Sequence, residues 1–391
     1  MNNYDVIIIG AGAAGLMCAI SAGQRGRKVL VLDHAEKIGK KILIAGGGKC
    51  NFTNLWVEAE NYISANPHFC KSALSRFNQY DFLNLIDKYQ IKYEERAHGQ
   101  LFCQDSARLI VDLLEDECAL AGVEIRTGQQ IQSVKKEQHY QITTQNNLYQ
   151  SASLVMASGG LSIPKMGATD IGYRIARQFN IECTNMRPGL VSLTLNSSEL
   201  NDYSSLSGIS VEASVSYKKH HFREAVLFTH KGLSGPAILQ ISNYWQAGDP
   251  VEINLLPNTN LHSKIQQWQQ DRPNTELKTL MSTLLSKRLV EWLIKLYLDN
   301  KPVRQYQAAE IEKIIETFQH WQIMPSGTTG YSKAEVTLGG IDTNALSSKT
   351  FEAKTQAGLY FIGEVIDVTG WLGGYNLQWA WASGYCAGQA V

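Results

Sequence analysis

Gly10, Gly12 and Gly15 stand in GxGxxG spacing, directly after an apolar run, and Asp33 closes the next apolar run. Each residue type has chemistry to do there. The first glycine permits a tight turn, the second lets a pyrophosphate approach the backbone, and the third lets a helix lie close to a strand. The N–H groups that open the helix, at Ala13 and Ala14, are free to meet phosphate oxygens and carry the positive end of the helix dipole. A carboxylate at Asp33 can accept hydrogen bonds from a ribose. The motif needs its elements: Tyr4 to Ile9 reads as a buried parallel strand, residues 13–24 as a helix, and Lys28 to Leu32 as a second strand. Together they make one βαβ unit and a dinucleotide site. These residues leave NAD and FAD both open as the ligand.

The rest of the chain bounds what such a unit can belong to. The sequence has 391 residues, 44% hydrophobic and 18% charged, with 36 Lys plus Arg against 36 Asp plus Glu. That length predicts two or three domains. Zero formal net charge argues against a protein that coats nucleic acid, while leaving room for a local basic face. No stretch approaches the roughly 18 apolar residues of a membrane span. The start, Met1-Asn2-Asn3-Tyr4-Asp5, shows no basic leader, so a cytoplasmic protein is expected. Seven cysteines, at 18, 50, 70, 103, 118, 183 and 386, include no CxxC pair. That predicts neither a disulfide framework nor a zinc ribbon, and no metal site is expected.

The pattern changes along the chain. Residues 66–122 read as mostly helical, with Phe82, Leu85, Ile86 and Tyr89 on one face and a second helix around Leu109, Leu113, Leu114 and Glu117. Leu154 to Gly160 reads as a buried strand ending in glycines. Residues 189–257 alternate, as in Val211 to Tyr217, and predict antiparallel strands. Residues 258–322 are polar, helix-forming and free of glycine. Strand character returns at 334–341 and 358–362, and Gly374 to Val391 reads as a helix rich in small residues. This order implies insertion into an α/β domain completed by the C-terminus. The expected domains are 1–188 with 342–391, then 189–257 with 323–341, and a helical insertion at 258–322.

The segment Thr355 to Glu364 resembles the second FAD fingerprint of glutathione-reductase-like flavoproteins, a strand followed by glycine and an acid that holds the ribityl chain. Gly363 and Glu364 take those places, with Asp367 as the other acid nearby. Gly374, Asn376 and Leu377 open the last helix, whose N-terminus can stabilise negative charge on an isoalloxazine. The resemblance favours FAD. Neither a second GxGxxG nor a CxxxxC redox pair is present, which disfavours a dithiol reductase and a dedicated NAD(P) domain.

Wider motifs carry a family likeness. Lys37 to Asn54, containing Gly46-Gly47-Gly48-Lys49-Cys50-Asn51-Phe52-Thr53-Asn54, resembles the signature of the BaiN/RdsA-type flavoproteins, also called aminoacetone-oxidase-like FAD-binding enzymes. The likeness continues through Ala157-Ser158-Gly159-Gly160, Phe228 to Pro236, and Gly363 to Asn376. It implies an α/β fold: a Rossmann-like FAD-binding domain of the two-dinucleotide (glutathione-reductase-like) type with an inserted β-barrel and a small helical module. It also implies FAD as cofactor and NAD(P)H as electron source. Activities attached to the family are reduction of a conjugated C=C bond in a steroid-like substrate, reduction of a uracil in large-subunit ribosomal RNA to dihydrouridine, and oxidation of small amines. The first two share hydride transfer from reduced flavin N5. The partners expected are therefore a small molecule or ribosomal RNA, without a membrane or protein partner. The expected function is an FAD-dependent oxidoreductase that uses NAD(P)H to reduce a carbonyl-conjugated C=C bond, with a ribosomal-RNA uridine reductase, a small-molecule amine oxidase and a non-catalytic flavin redox sensor as alternatives.

Individual residues divide between roles. Gly46, Gly47, Gly48 and Asn51 suit a loop lying against a flavin. Cys50 reads as a proton donor or thiolate beside it, or as a small buried residue. Lys40, Lys41 and Lys49 suit phosphate contacts or solvated surface positions, and Lys41 is carried forward with Ser158 and Gly159 as a cofactor contact. His230 reads as an acid in a cleft between domains, or as a capping or core histidine. Asp170, before the helix Ile171 to Gln178, reads as a helix-start acid near the cofactor. Lys218-Lys219-His220-His221 reads as a hairpin tip by its flanking alternation, either a solvated turn or an RNA contact.

Overall fold

In the computed structural model, which describes residues 2–196 and 203–391, the first apolar run is a strand, β1 (Asn2–Ile9). Val6, Ile7, Ile8 and Ile9 are all buried. Consecutive buried apolar residues need cover on both faces, which is the situation of a central parallel strand. β1 lies between β2 (Val29–Leu32) and the strand Leu148–Met156, parallel to both. β2 pairs in parallel with Glu124–Arg126, and Leu359–Phe361 joins in parallel beside Leu154 to Met156. The C-terminal segment thus completes a sheet that the N-terminus begins. The first half of Leu148–Met156 also pairs antiparallel with Tyr140–Thr144, itself paired with Ile131–Lys136.

The chain divides into two compact units, Met1–Arg187 with Val336–Val391, and Pro188–Glu335. In the first, α1 (Ala13–Gly23) packs against the C-terminal helix Tyr375–Gly388. The approach is close enough to need glycine: a Cβ on Gly384 would lie 2.4 Å from the carbonyl oxygen of Ala14. Residues 66–122 depart from the helical expectation. Helices Lys71–Arg76, Gln79–Lys88 and Arg108–Leu120 are present, but Tyr93–Arg96 and Gln100–Cys103 are strands joined to β3 (Asn51–Asn54) in an antiparallel three-stranded sheet. Tyr93–Arg96 is an edge strand with no buried residue, so its sequence carries no alternation to betray it.

The second unit holds a seven-stranded antiparallel sheet in the order 321–323, 251–254, 210–217, 220–229, 232–234, 193–194, 327–328. Lys218 and Lys219 form the turn of its long hairpin. Pro236 opens the helix Pro236–Ser242, where a missing N–H costs nothing. Four helices follow from the polar stretch: Leu261–Asp271, Leu277–Met281, Lys287–Tyr297 and Ala308–Gln319. Among the described residues no helix is long and apolar enough to cross a membrane, and no three His, Cys, Asp or Glu side chains gather as a metal site.

Candidate active site

The three glycines of the first turn have different physical reasons. Gly10 has φ +116°, and a Cβ there would lie 2.3 Å from the Ala157 carbonyl oxygen. A Cβ on Gly15 would lie 1.9 Å from the Gly10 carbonyl oxygen. Both glycines are demanded by chain packing. Gly12 is not: nothing lies within 4 Å of its Cβ position. It caps α1, no side chain satisfies the helix start, and no acid stands in the first turn, at Ala13 or Ala14 or beyond. The open cradle and uncapped N–H groups suit a pyrophosphate. Asp33 borders this turn. Its Oδ2 accepts the Ala11 N–H at 2.7 Å and its Oδ1 the Ala35 N–H at 2.8 Å, which fixes the carboxylate while leaving acceptor capacity for a ribose.

A second cluster forms around Glu364. Gly363 takes φ +71° against α1, where a Cβ would meet that of Ala14 at 2.8 Å. Lys41 and Glu364, expected as separate cofactor contacts, pair with each other at 2.7 Å. Lys41 Nζ also donates to Ser162 Oγ at 2.8 Å, and Ser162 Oγ donates to Glu364 Oε1 at 3.0 Å. The Thr337 N–H donates to the same oxygen at 3.0 Å, and Thr337 Oγ1 accepts from Leu161 N and Ser162 N. Burial alone would push the Glu364 carboxyl up; the Lys41 ammonium and these hydrogen bonds outweigh it and hold it below the usual glutamate range. Gly160 completes the fit, since a Cβ there would sit 2.5 Å from Thr337 Oγ1. Gly159 beside it has φ +72°, with nothing closer to its Cβ position than Glu364 Oε2 at 4.0 Å. Asp367, the other acid nearby, accepts the Ala65 N–H at 3.0 Å, and burial pushes its carboxyl up.

Ser158 Oγ is buried with no protein partner, beside Gly172, whose Cβ would lie 2.4 Å away. A buried hydroxyl left unpaired is costly, and a bound group that pairs it accounts for its position. With the open Gly12 cradle, it shows that the residues present fit a dinucleotide cofactor.

The third cluster joins β3 to the last helix. Gly46 and Gly47 are left-handed, and no atom lies within 4 Å of the Gly47 Cβ position; around Gly48 only the Leu43 carbonyl, at 3.9 Å, comes near. Gly46 packs against Phe102, where a Cβ would lie 2.5 Å from the ring, so bare backbone is presented at Gly47 and Gly48. Asn51, with its amide oriented by its neighbours, accepts the Gly374 N–H at 3.1 Å and donates to the carbonyls of Leu101 and Thr53. Asn376 turns its side chain back to the loop before it, accepting from Gly370 N and donating to the carbonyls of Gly370 and Trp371. That side chain is a structural tie; what it and half-buried Leu377 leave for a cofactor is backbone. Cys50 is wholly buried at φ +49°, and burial, with the neighbouring Cys103, pushes its thiol well up. It is a thiol and not a thiolate at neutral pH.

Asp170 and His230 are both exposed. Asp170 pairs with Arg174 at 3.0 Å across one helical turn. His230 belongs to the second unit, in the turn between Thr229 and Gly232. Sequence reasoning missed Ser162, Thr337 and Gln378. Gln378 is fully buried, accepting from Thr53 Oγ1 at 2.7 Å and donating to the Phe77 carbonyl. A polar residue amid the apolar face of a helix was its one sequence signal.

Comparison with known proteins adds to this geometry. A family model described as HI0933-like protein Rossmann domain matches residues 4–390. A protein of Escherichia coli (strain K12) named ribosomal RNA dihydrouridine synthase is 49% identical over 392 residues, covering 100% of this chain and 98% of that protein. One of the same name from Haemophilus influenzae is 45% identical over 100% of this chain and 99% of that protein. A 3-dehydro-bile acid delta(4,6)-reductase of Clostridium scindens is 28% identical, over 98% of each chain. Among solved structures, a quinol-fumarate reductase has a TM-score of 0.51 at 15% identity, covering 100% of this chain and 70% of that one, which shows likeness of fold.

Proposed function

Because the chain belongs to the HI0933-like Rossmann family, the BaiN/RdsA-type FAD-dependent oxidoreductases that its motifs resemble, we propose that it reduces a uridine of large-subunit ribosomal RNA to dihydrouridine. The observation that carries this reading is near-half identity, along the whole chain, to two proteins of that name. Uracil C5=C6 is conjugated to a carbonyl, so it belongs to the class of activated double bonds the flavin likeness implies. FAD is the cofactor in this reading and NAD(P)H its electron donor. When bound and reduced, FAD supplies hydride to one carbon of that bond.

The protein's own part is to bind, orient and protonate. Gly12, Ala13 and Ala14 offer backbone to the pyrophosphate, and Asp33 offers a carboxylate to the adenosine ribose. Lys41 and Glu364 form a fixed polar wall where the ribityl chain is expected, with Ser158 and Gly159 alongside. Backbone at Gly47 and Gly48 and at the helix start Gly374 to Leu377 would hold the ring, with the Asn51 amide fixing the Gly374 N–H. Two acids are proposed for the second carbon. Cys50 keeps its proton at neutral pH because burial raises its pKa, but it is wholly buried, so this role requires the substrate-bound site to open onto the thiol; exposed His230 is the alternative.

The test is air-free addition of NADH and NADPH to FAD-loaded protein, followed by dihydrouridine analysis of large-subunit RNA treated with it. Bleaching of the flavin and new dihydrouridine are expected. Loss of kcat in C50A with H230A unchanged assigns the proton to the thiol, and the reverse assigns it to the imidazole. Flavin reduction with turnover of free enones but not RNA would refute the RNA reading and favour a small-molecule reductase, which the likeness to the bile-acid enzyme supports.

A further inference from the structure

Trp56 is 58% exposed, yet it is firmly held. Its backbone N–H donates to Asn54 Oδ1 at 2.9 Å, and the His98 ring meets the indole edge-on, with centroids 6.4 Å apart. The turn beside it places two successive residues in the left-handed region, His98 at φ +61° and Gly99 at φ +68°. A Cβ on Gly99 would come within 3.1 Å of the indole and 2.9 Å of Asn54 Oδ1. Asn54 is buried, and its Nδ2 donates to the carbonyls of His98, at 3.0 Å, and Gly373, at 2.8 Å. One buried amide thus ties together the backbone at Trp56, the left-handed His98 turn and the loop that opens the last helix. A left-handed non-glycine residue costs free energy, and strain of this kind gathers where a surface must be preset.

We propose that Trp56, flanked by His98, is a stacking platform for a nucleobase of the RNA substrate next to the uridine that is reduced. This rests on the ribosomal-RNA reading above. Hydride must arrive perpendicular to the uracil ring, so that base has to leave its stack, and its neighbour then loses a stacking partner. An exposed indole on a backbone held in this way replaces that partner, as aromatic side chains do for unstacked RNA bases. Its tie to Gly373 places the platform beside the helix start assigned to the flavin ring. The charge balance favours the same mode. With 36 basic against 36 acidic residues, the protein has no general excess of phosphate-neutralising charge, and a stacked base adds recognition that needs none. On the same hairpin Arg96 is exposed but pairs with Glu94 at 2.6 Å, so a phosphate there would have to compete with that carboxylate.

The test uses FAD-loaded wild type, W56A, W56L and W56F with a single-stranded RNA 12-mer carrying 2-aminopurine next to a uridine. Wild type is expected to bind it with a change in 2-aminopurine fluorescence. W56A and W56L are expected to bind roughly 5- to 100-fold more weakly, as for loss of one stacked base, with that change abolished; W56F keeps most of both. The weakening is expected to be similar at low and high salt, because no charge is removed. The flavin absorption spectrum should be the same in all four. RNA affinity and fluorescence unchanged in W56A and W56L overturn the platform, and so does loss of FAD along with RNA in both, which would make Trp56 a structural residue. If wild type forms dihydrouridine normally while the variants match it, the platform alone fails; if wild type neither binds RNA nor forms dihydrouridine, the functional reading fails and takes the platform with it.

Discussion

Alanine at Gly12 and alanine at Gly15 should fail in opposite ways. Gly12 has φ −88° and ψ −172°, open to any L-residue, and its Cβ position has no neighbour within 4 Å. G12A should therefore fold. Alanine caps a helix less well than glycine, at a cost of up to about 1 kcal/mol, so the FAD-free protein should melt within roughly 2–4 °C of wild type. The added methyl stands where a phosphate would approach. Displacing the phosphate breaks at least one charge-assisted hydrogen bond of about 1.5–3 kcal/mol, or roughly 10- to 150-fold in FAD affinity. G15A adds a methyl 1.9 Å from the Gly10 carbonyl oxygen and 3.2 Å from Ala157 Cβ, so helix and strand must separate. The expected cost is about 3 kcal/mol or more. Thermal melts of FAD-free protein and calorimetric titration with FAD separate the two effects. Wild-type FAD affinity in G12A, or a wild-type melt in G15A, would refute the division between ligand cradle and chain packing.

Other outcomes follow from the same geometry. E364Q should lower stability at pH 7 by about 1–2 kcal/mol, less than for a sealed ion pair because Lys41 is 37% exposed. The Glu364 carboxyl sits below its ordinary 4.5, so its contribution is complete above that pH and lost as pH falls through the lowered value; the gap between wild-type and E364Q melting temperatures should close in acid. Brief alkylation of native protein, read by mass spectrometry, should label half-buried Cys183 ahead of the other six cysteines, all buried; early labelling of Cys50 would contradict its sealed position. Glu117 is 3% exposed and receives Lys88 and the Tyr89 hydroxyl, the latter at 2.8 Å. E117A should cost about 2–4 kcal/mol in urea unfolding, whereas K88A, at a side chain 54% exposed, should cost about 1 kcal/mol or less.

The nucleotide turn was legible because its causes are local. Strand, glycines, helix and Asp33 lie within about thirty residues, with Gly10 and Gly15 required by the packing of the turn and Gly12 by the ligand it leaves room for. The return of the chain at Leu359–Phe361 and the small residues of the last helix were readable for the same reason, since buried parallel strands and close helix contacts leave compositional marks. The partners of the polar residues were not. Lys41 meets Glu364 across 323 positions, Thr53 meets Gln378 across 325, and Asn54 meets Gly373 across 319. A charged or amide side chain carries no local sign of the group that will satisfy it; that is set by which strands become neighbours. The strand Tyr93–Arg96 was hidden for a related reason, because an exposed edge strand takes its conformation from pairing and not from its own residues. Residue types thus settled what chemistry was available, and long-range packing settled which groups are tied to one another and which, like Ser158 Oγ and the Gly12 cradle, are left open to a ligand.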